Sequence, residues 1–142
     1  MMKRLFTVLL LVLPLSLSAQ MQFGYLSYKT IMAEMPEFAQ VKQSMSELKA
    51  KYDAEATRGE EEFQKKFADF LQGQKDFPQT IMQKRQAELQ SLMENGISFR
   101  IESQKTLEQA EKDLMAEVKK KLNNVILEVG VEYGYAFVLN ID

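Results

Sequence analysis

The 142-residue sequence contains no cysteine, no histidine and no tryptophan, and only three prolines. Without cysteine the chain cannot be stapled by disulfides and offers no thiolate nucleophile. Without histidine it lacks the commonest metal ligand and the side chain best suited to exchanging protons near neutral pH. There is no glycine-rich phosphate loop and no serine at a strand-turn-helix elbow, and Glu60, Glu61 and Glu62 read as a solvated helix face. These absences point away from an enzyme and from any cofactor or metal.

What is present begins with an export signal. Lys3 and Arg4 precede an apolar run from Leu5 to Leu17, too short for a comfortable membrane span, which closes on the small residues Ser18 and Ala19. Residues 1–19 therefore read as a signal peptide cut after Ala19, with no cysteine beside the cut to take a lipid. The mature chain is expected to be soluble in an extracytoplasmic compartment, and its length fits one domain. Without Lys3 and Arg4, 16 basic side chains face 20 acidic ones, a net charge of −4. Nucleic-acid binding does not fit an exported acidic chain.

From Pro36 to Gln74, Phe38, Val41, Met45, Leu48, Tyr52, Ala56, Phe63, Phe67 and Phe70 recur mostly at spacings of three and four. That is the period of a helix. From Gln79 to about Val129 the rhythm resumes through Arg85, Leu89, Leu92, Phe99, Leu107, Ala110, Leu114, Val118, Leu122, Val125 and Val129, its gaps filled by small or polar residues at the expected places, such as Gly96 and Ser103. Between the two runs stands Lys75-Asp76-Phe77-Pro78, where Pro78 disfavours helix at Phe77 and suits the first turn of a returning helix. The reading is a helical hairpin over residues 36–129, its tip at 75–78. Facing residues should have numbers summing to about 155 if the chain turns there. Val41 then meets Leu114, Met45 meets Ala110, Leu48 meets Leu107, Ala56 meets Phe99, Phe63 meets Leu92, and Gly59 meets Gly96. The facing glycines suggest either close backbone approach or a flexible point halfway along the arm.

Charge is uneven along this hairpin. Between residues 65 and 85, Lys65, Lys66, Lys75, Lys84 and Arg85 outnumber Asp69 and Asp76, so the tip is basic and the rest acidic. Lys75, Lys84 and Arg85 are candidates for contact with anionic lipid or an acidic client. Phe77, at the turn, cannot be wholly buried by one hairpin and is a candidate for client contact. Met32, Met35 and Met45, near the base, offer adaptable apolar surface.

The ends of the chain read as strands. Residues 22–28 carry Phe23, Tyr25 and Tyr28, and residues 135–141 read Tyr-Ala-Phe-Val-Leu-Asn-Ile. With residues 20–35 and 130–142 they would form a small β body, brought together by the hairpin between them. Two strands make a poor sheet alone, and a bare apolar edge invites another chain. The fold class expected is mainly α with a small β component, a long antiparallel helical hairpin on a β body completed by oligomerisation.

The arrangement resembles the Skp family of periplasmic chaperones, also called OmpH-like proteins. The resemblance is carried by the signal peptide, Phe23-Gly24-Tyr25-Leu26, the segment Ile31 to Phe38, the two long helices and the closing run Tyr133 to Leu139. It implies a homotrimer whose strands assemble a central body, with three hairpins hanging from it around a cavity for unfolded outer-membrane proteins. It implies a periplasmic location and an ATP-independent holdase. The chain departs from well-studied members in being acidic outside its tip, and it stops at Asp142, where the family usually continues with a further strand and a short helix. Two other readings fit the helices: an envelope coiled-coil scaffold, and a binder of anionic membrane surfaces that uses the basic tip.

Overall fold

The computed structural model describes residues 21–142, so the signal peptide expected over residues 1–19 lies outside the described residues. Strand β1 (Gln22–Leu26) is followed by a short helix α1 (Tyr28–Glu34) and two long helices, α2 (Pro36–Gly73) and α3 (Gln79–Glu132), and strand β2 (Tyr135–Asn140) closes the chain. β1 stops at Leu26, short of the expected residue 28, because Ser27 caps α1 with its side chain, which accepts from the Thr30 N–H at 3.1 Å. Pro36 opens α2 at a position where its missing N–H costs nothing, and Glu37 stands in the first turn.

At 1.5 Å per residue, α2 is about 57 Å long and α3 about 81 Å. They form the antiparallel hairpin, joined at residues 74–78. In that turn the Asp76 N–H donates to the Gly73 carbonyl at 3.0 Å, and the Phe77 ring folds back over Gly73 and packs at 6.3 Å from the Phe70 ring. Any side chain at Gly73 would collide with the Phe77 ring. Phe77 is half-buried as a result.

Cross-hairpin pairs follow the expected register loosely: Lys66 with Glu88, Glu60 with Arg100, Glu37 with Lys121, and the Tyr52 ring 6.0 Å from that of Phe99. The seam itself differs from its sequence reading at both ends. Toward the tip Arg85 is exposed, and Met82, Glu88 and Leu89 are the half-buried residues. Toward the base Leu114, Val125 and Val129 are exposed, and burial runs through Met115, Val118, Leu122 and Ile126. α3 passes the start of α2 only beyond Lys121, which pairs with Glu37, and from there its inner face turns toward α1 and the strands: Tyr28 Oη donates to Asn123 Oδ1 at 3.1 Å. Phe67, expected on the seam, is also exposed, its ring stacked on that of Phe63. Among the described residues the buried apolar core is Val41, Val118 and Leu122, all near the base.

α3 runs three residues past Val129, through Gly130, and stops where Gly134 takes φ +68°, the left-handed conformation that glycine adopts without strain. β2 then pairs with β1 in parallel, Phe23 against Phe137 and Tyr25 against Leu139. Alternation gives this two-stranded sheet an inner face, with Gly24, Leu26 and Val138 half-buried, and an outer face with Phe23, Tyr25, Phe137 and Leu139 exposed. The rings of Phe23 and Phe137 stack 5.6 Å apart on that bare face.

Candidate functional site

The residues singled out at the base and turn are only partly accessible. Met32, Met35, Met45 and Phe77 are each half-buried. Met35 sits in the kink between α1 and α2, where its carbonyl accepts from the Phe38 N–H at 3.1 Å. At the tip Lys75 and Lys84 are exposed, whereas Arg85 Nη1 donates to Glu88 Oε2 at 3.0 Å and Lys66 pairs with the other oxygen of the same carboxylate. Glu88 lies just beyond the basic window read from the sequence and offsets two of its cations. Lys75 and Lys84 form no ion pair among the described residues.

Gly59 and Gly96 do share one place, but not through close approach. A Cβ built on either would meet nothing within 4 Å. The helices stand apart there, leaving a cleft of about 420 Å³ whose lining combines the two glycines and the apolar Ala56, Phe63, Leu92 and Phe99 with charged side chains, among them the Glu60–Arg100 pair. About two turns of α3 nearer the base, the hydroxyl of Ser103 is buried with no hydrogen-bond partner, so the middle of the arm is its least satisfied stretch.

Beside the cleft, Met93, Ile97 and Ile101 are 51%, 54% and 66% exposed. Spaced by four, they form a second apolar stripe on α3, next to the one that faces α2. The sequence shows it as three apolar residues spaced by four beside the seam, a spacing not singled out above. At the base, apolar side chains are exposed on the outer sheet face and at Ile141 after it, and at Val125, Val129 and Val131 near the end of α3.

Three carboxylates tie the frame together at the ends of its elements. A hydrogen bond from Lys121 holds Glu37 below the usual carboxylate range. Lys66, and after it Arg85, do the same for Glu88. For Asp142 the cause is first the Ser27 hydroxyl and then the Lys29 N–H, at 2.8 Å. Asp142 and Asn140, whose Oδ1 accepts from the Tyr28 N–H at 3.0 Å, thus bind the end of β2 to the start of α1. A lowered folded-state pKa means stabilisation that is complete above the unfolded carboxylate range, near pH 4, and fades as pH falls through the folded values. Thermal melts should therefore show a lower Tm at pH 3 than at pH 6. The E37Q/E88Q/D142N variant should lose part of that difference, by a small margin because all three groups meet solvent; an unchanged difference would remove these contacts as its source.

No helix among the described residues is long and apolar enough to cross a membrane, and no group of three or more acidic side chains there could hold a metal ion. A comparison with curated proteins finds no match. A family model described as outer membrane protein (OmpH-like) matches residues 22–142, the whole of both strands and all three helices. A hairpin with little core of its own, rooted in a sheet made from the two ends of the chain, accords with that match, and the chain belongs to the OmpH-like family.

Proposed function

We propose that this protein is an ATP-independent periplasmic holdase that assembles as a homotrimer through its base and encloses unfolded outer-membrane proteins between its arms. The observation that carries this reading is the bare outer face of the β1–β2 sheet, with Phe23, Tyr25, Phe137 and Leu139 exposed at the root of a hairpin. Apolar surface of that kind on a soluble chain calls for a partner, and strands from further copies would complete the two-stranded sheet. Arms rooted in such a body would surround a space into which their apolar stripes could face. An unfolded barrel protein exposes apolar side chains along its whole length, and many weak contacts would keep it soluble without fixing one conformation. Release would then follow from the client's own folding.

The test is the solution mass of residues 20–142 by light scattering, alone and after mixing with a urea-diluted outer-membrane β-barrel protein. A trimer that gains the mass of one client and stays clear is the expected result. A monomer that leaves the client to precipitate would overturn the holdase and favour a coiled-coil scaffold.

A further inference from the structure

We infer that the mid-arm cleft between Gly59 and Gly96, with the stripe Met93, Ile97 and Ile101 beside it, is a seat for an extended stretch of unfolded outer-membrane β-strand. This deepens the holdase reading and depends on it, by assigning client contact to particular residues.

The glycines supply the first observation. Glycine weakens a helix and is kept where a side chain would obstruct something. Here nothing in the chain itself would be obstructed, since an added Cβ at either position meets no atom within 4 Å. What the two glycines leave is a recess lined by the apolar Ala56, Phe63, Leu92 and Phe99 and by two residues of the stripe, among charged side chains such as Glu60 and Arg100. At about 420 Å³ it falls within the roughly 300–1,000 Å³ typical of ligand sites.

The second observation is the stripe. Met93, Ile97 and Ile101 are all more than half exposed. Four residues of helix rise about 6 Å, and side chains on one face of an extended strand repeat every two residues, about 6.6 Å. An extended chain lying along α3 would set successive apolar side chains of one face against successive residues of the stripe. Strands of membrane barrels carry that alternation, with aromatic residues at the ends of the apolar band, and an aromatic ring is the group the recess would take.

The stripe also argues against a second copy of this chain as the occupant. Three half-exposed side chains offer on the order of 300 Å², against the roughly 800 Å² per partner of a stable interface. A surface of that size suits a contact that forms and breaks along a moving client.

The experiment compares wild type with two variants, M93S/I97S/I101S and Gly96→Leu, in retention of a urea-unfolded outer-membrane β-barrel protein on dilution. Both changes lie on open surface, and circular dichroism checks that helix content is kept. We expect each to weaken retention about tenfold, with the mass of the protein alone unchanged. A G59A/G96A variant leaves most of the recess open and should retain client within about twofold of wild type.

Full retention by the serine variant would overturn the seat while leaving the holdase intact. Loss of retention in the alanine pair alone would give the glycines to arm bending instead and also overturn it. A change in mass of the serine variant without client would make the stripe an interface between copies. Failure of the wild-type protein to retain client removes the holdase reading itself, and the seat with it.

Discussion

Leu122→Ala is expected to destabilise the protein by about 3 kcal/mol, within the range for emptying a fully buried leucine site. For a chain of this size that is roughly 10 °C in Tm. Leu122 is 2% exposed and is the largest wholly buried side chain among the described residues. It lies beside Lys121, which pairs with Glu37 at the start of α2, and about one turn from Val118 on the same face. Most of the arm has no comparable core, so global stability should rest on this junction. The contrast that makes the measurement informative is Leu114→Ala. Leu114 falls on the same run of three-and-four spacings in the sequence, yet it is 38% exposed, and its truncation should cost well under half as much. Thermal melts followed by circular dichroism at fixed protein concentration compare the two. Equal losses would place the core higher up the arm than Val118 and Leu122 do.

The difference between Leu114 and Leu122 also shows what can be read from periodicity. Helix existence and the turn depend on local features: the three-and-four spacing from Phe38 to Phe70, and Pro78 with Phe77 before it. These act within a few residues and were legible. So were the two strands, from Phe23 and Tyr25 at one end and Tyr135, Phe137 and Val138 at the other, while Tyr28, read as strand, opens α1 behind the Ser27 cap.

Which side of α3 is buried depends on what lies opposite, and that changes along its length. Opposite α2 the seam follows the expected numbers through Leu92, Phe99, Ser103, Leu107 and Ala110. Past Leu114 the buried face rolls to Met115, Val118, Leu122 and Ile126, and beyond the Glu37–Lys121 pair the partner is no longer α2 but the sheet and α1. The candidate surface was less legible. A single apolar seam was traced in α3, and Met93, Ile97 and Ile101, to one side of it, were not singled out. The glycine pair was noticed, but whether helices close over two facing glycines or stand apart depends on Ala56, Phe63 and Phe99 around them, beyond the reach of spacing alone. The clasp of Asn140 and Asp142 on α1 joins residues more than 110 positions apart, and no local pattern announces it.

Val131→Asp is expected to convert the assembly to monomers, lowering the mass by light scattering to about a third while helix content stays constant. Val131 is 74% exposed near the end of α3, so within one chain an aspartate there stays in water and costs little. In an assembly that covers the base, the same carboxylate would be buried in each copy without a cation to meet it. An unpaired buried charge costs several kcal/mol, which corresponds to a thousandfold or greater loss of association per interface. Phe137→Asp tests the same face from the sheet, but it also breaks the stack on Phe23 and so weakens the pairing of β1 with β2. Val131→Asp is free of that complication and decides the matter. If its mass equals that of the wild-type assembly, the helix end lies outside the interface. If Phe137→Asp keeps that mass as well, the base is not where copies meet, and the enclosure from which the holdase reading derives its cavity loses its support. If both fall to monomers and release a bound client, capture depends on several arms acting around one space, because each monomer still carries its own stripe and recess.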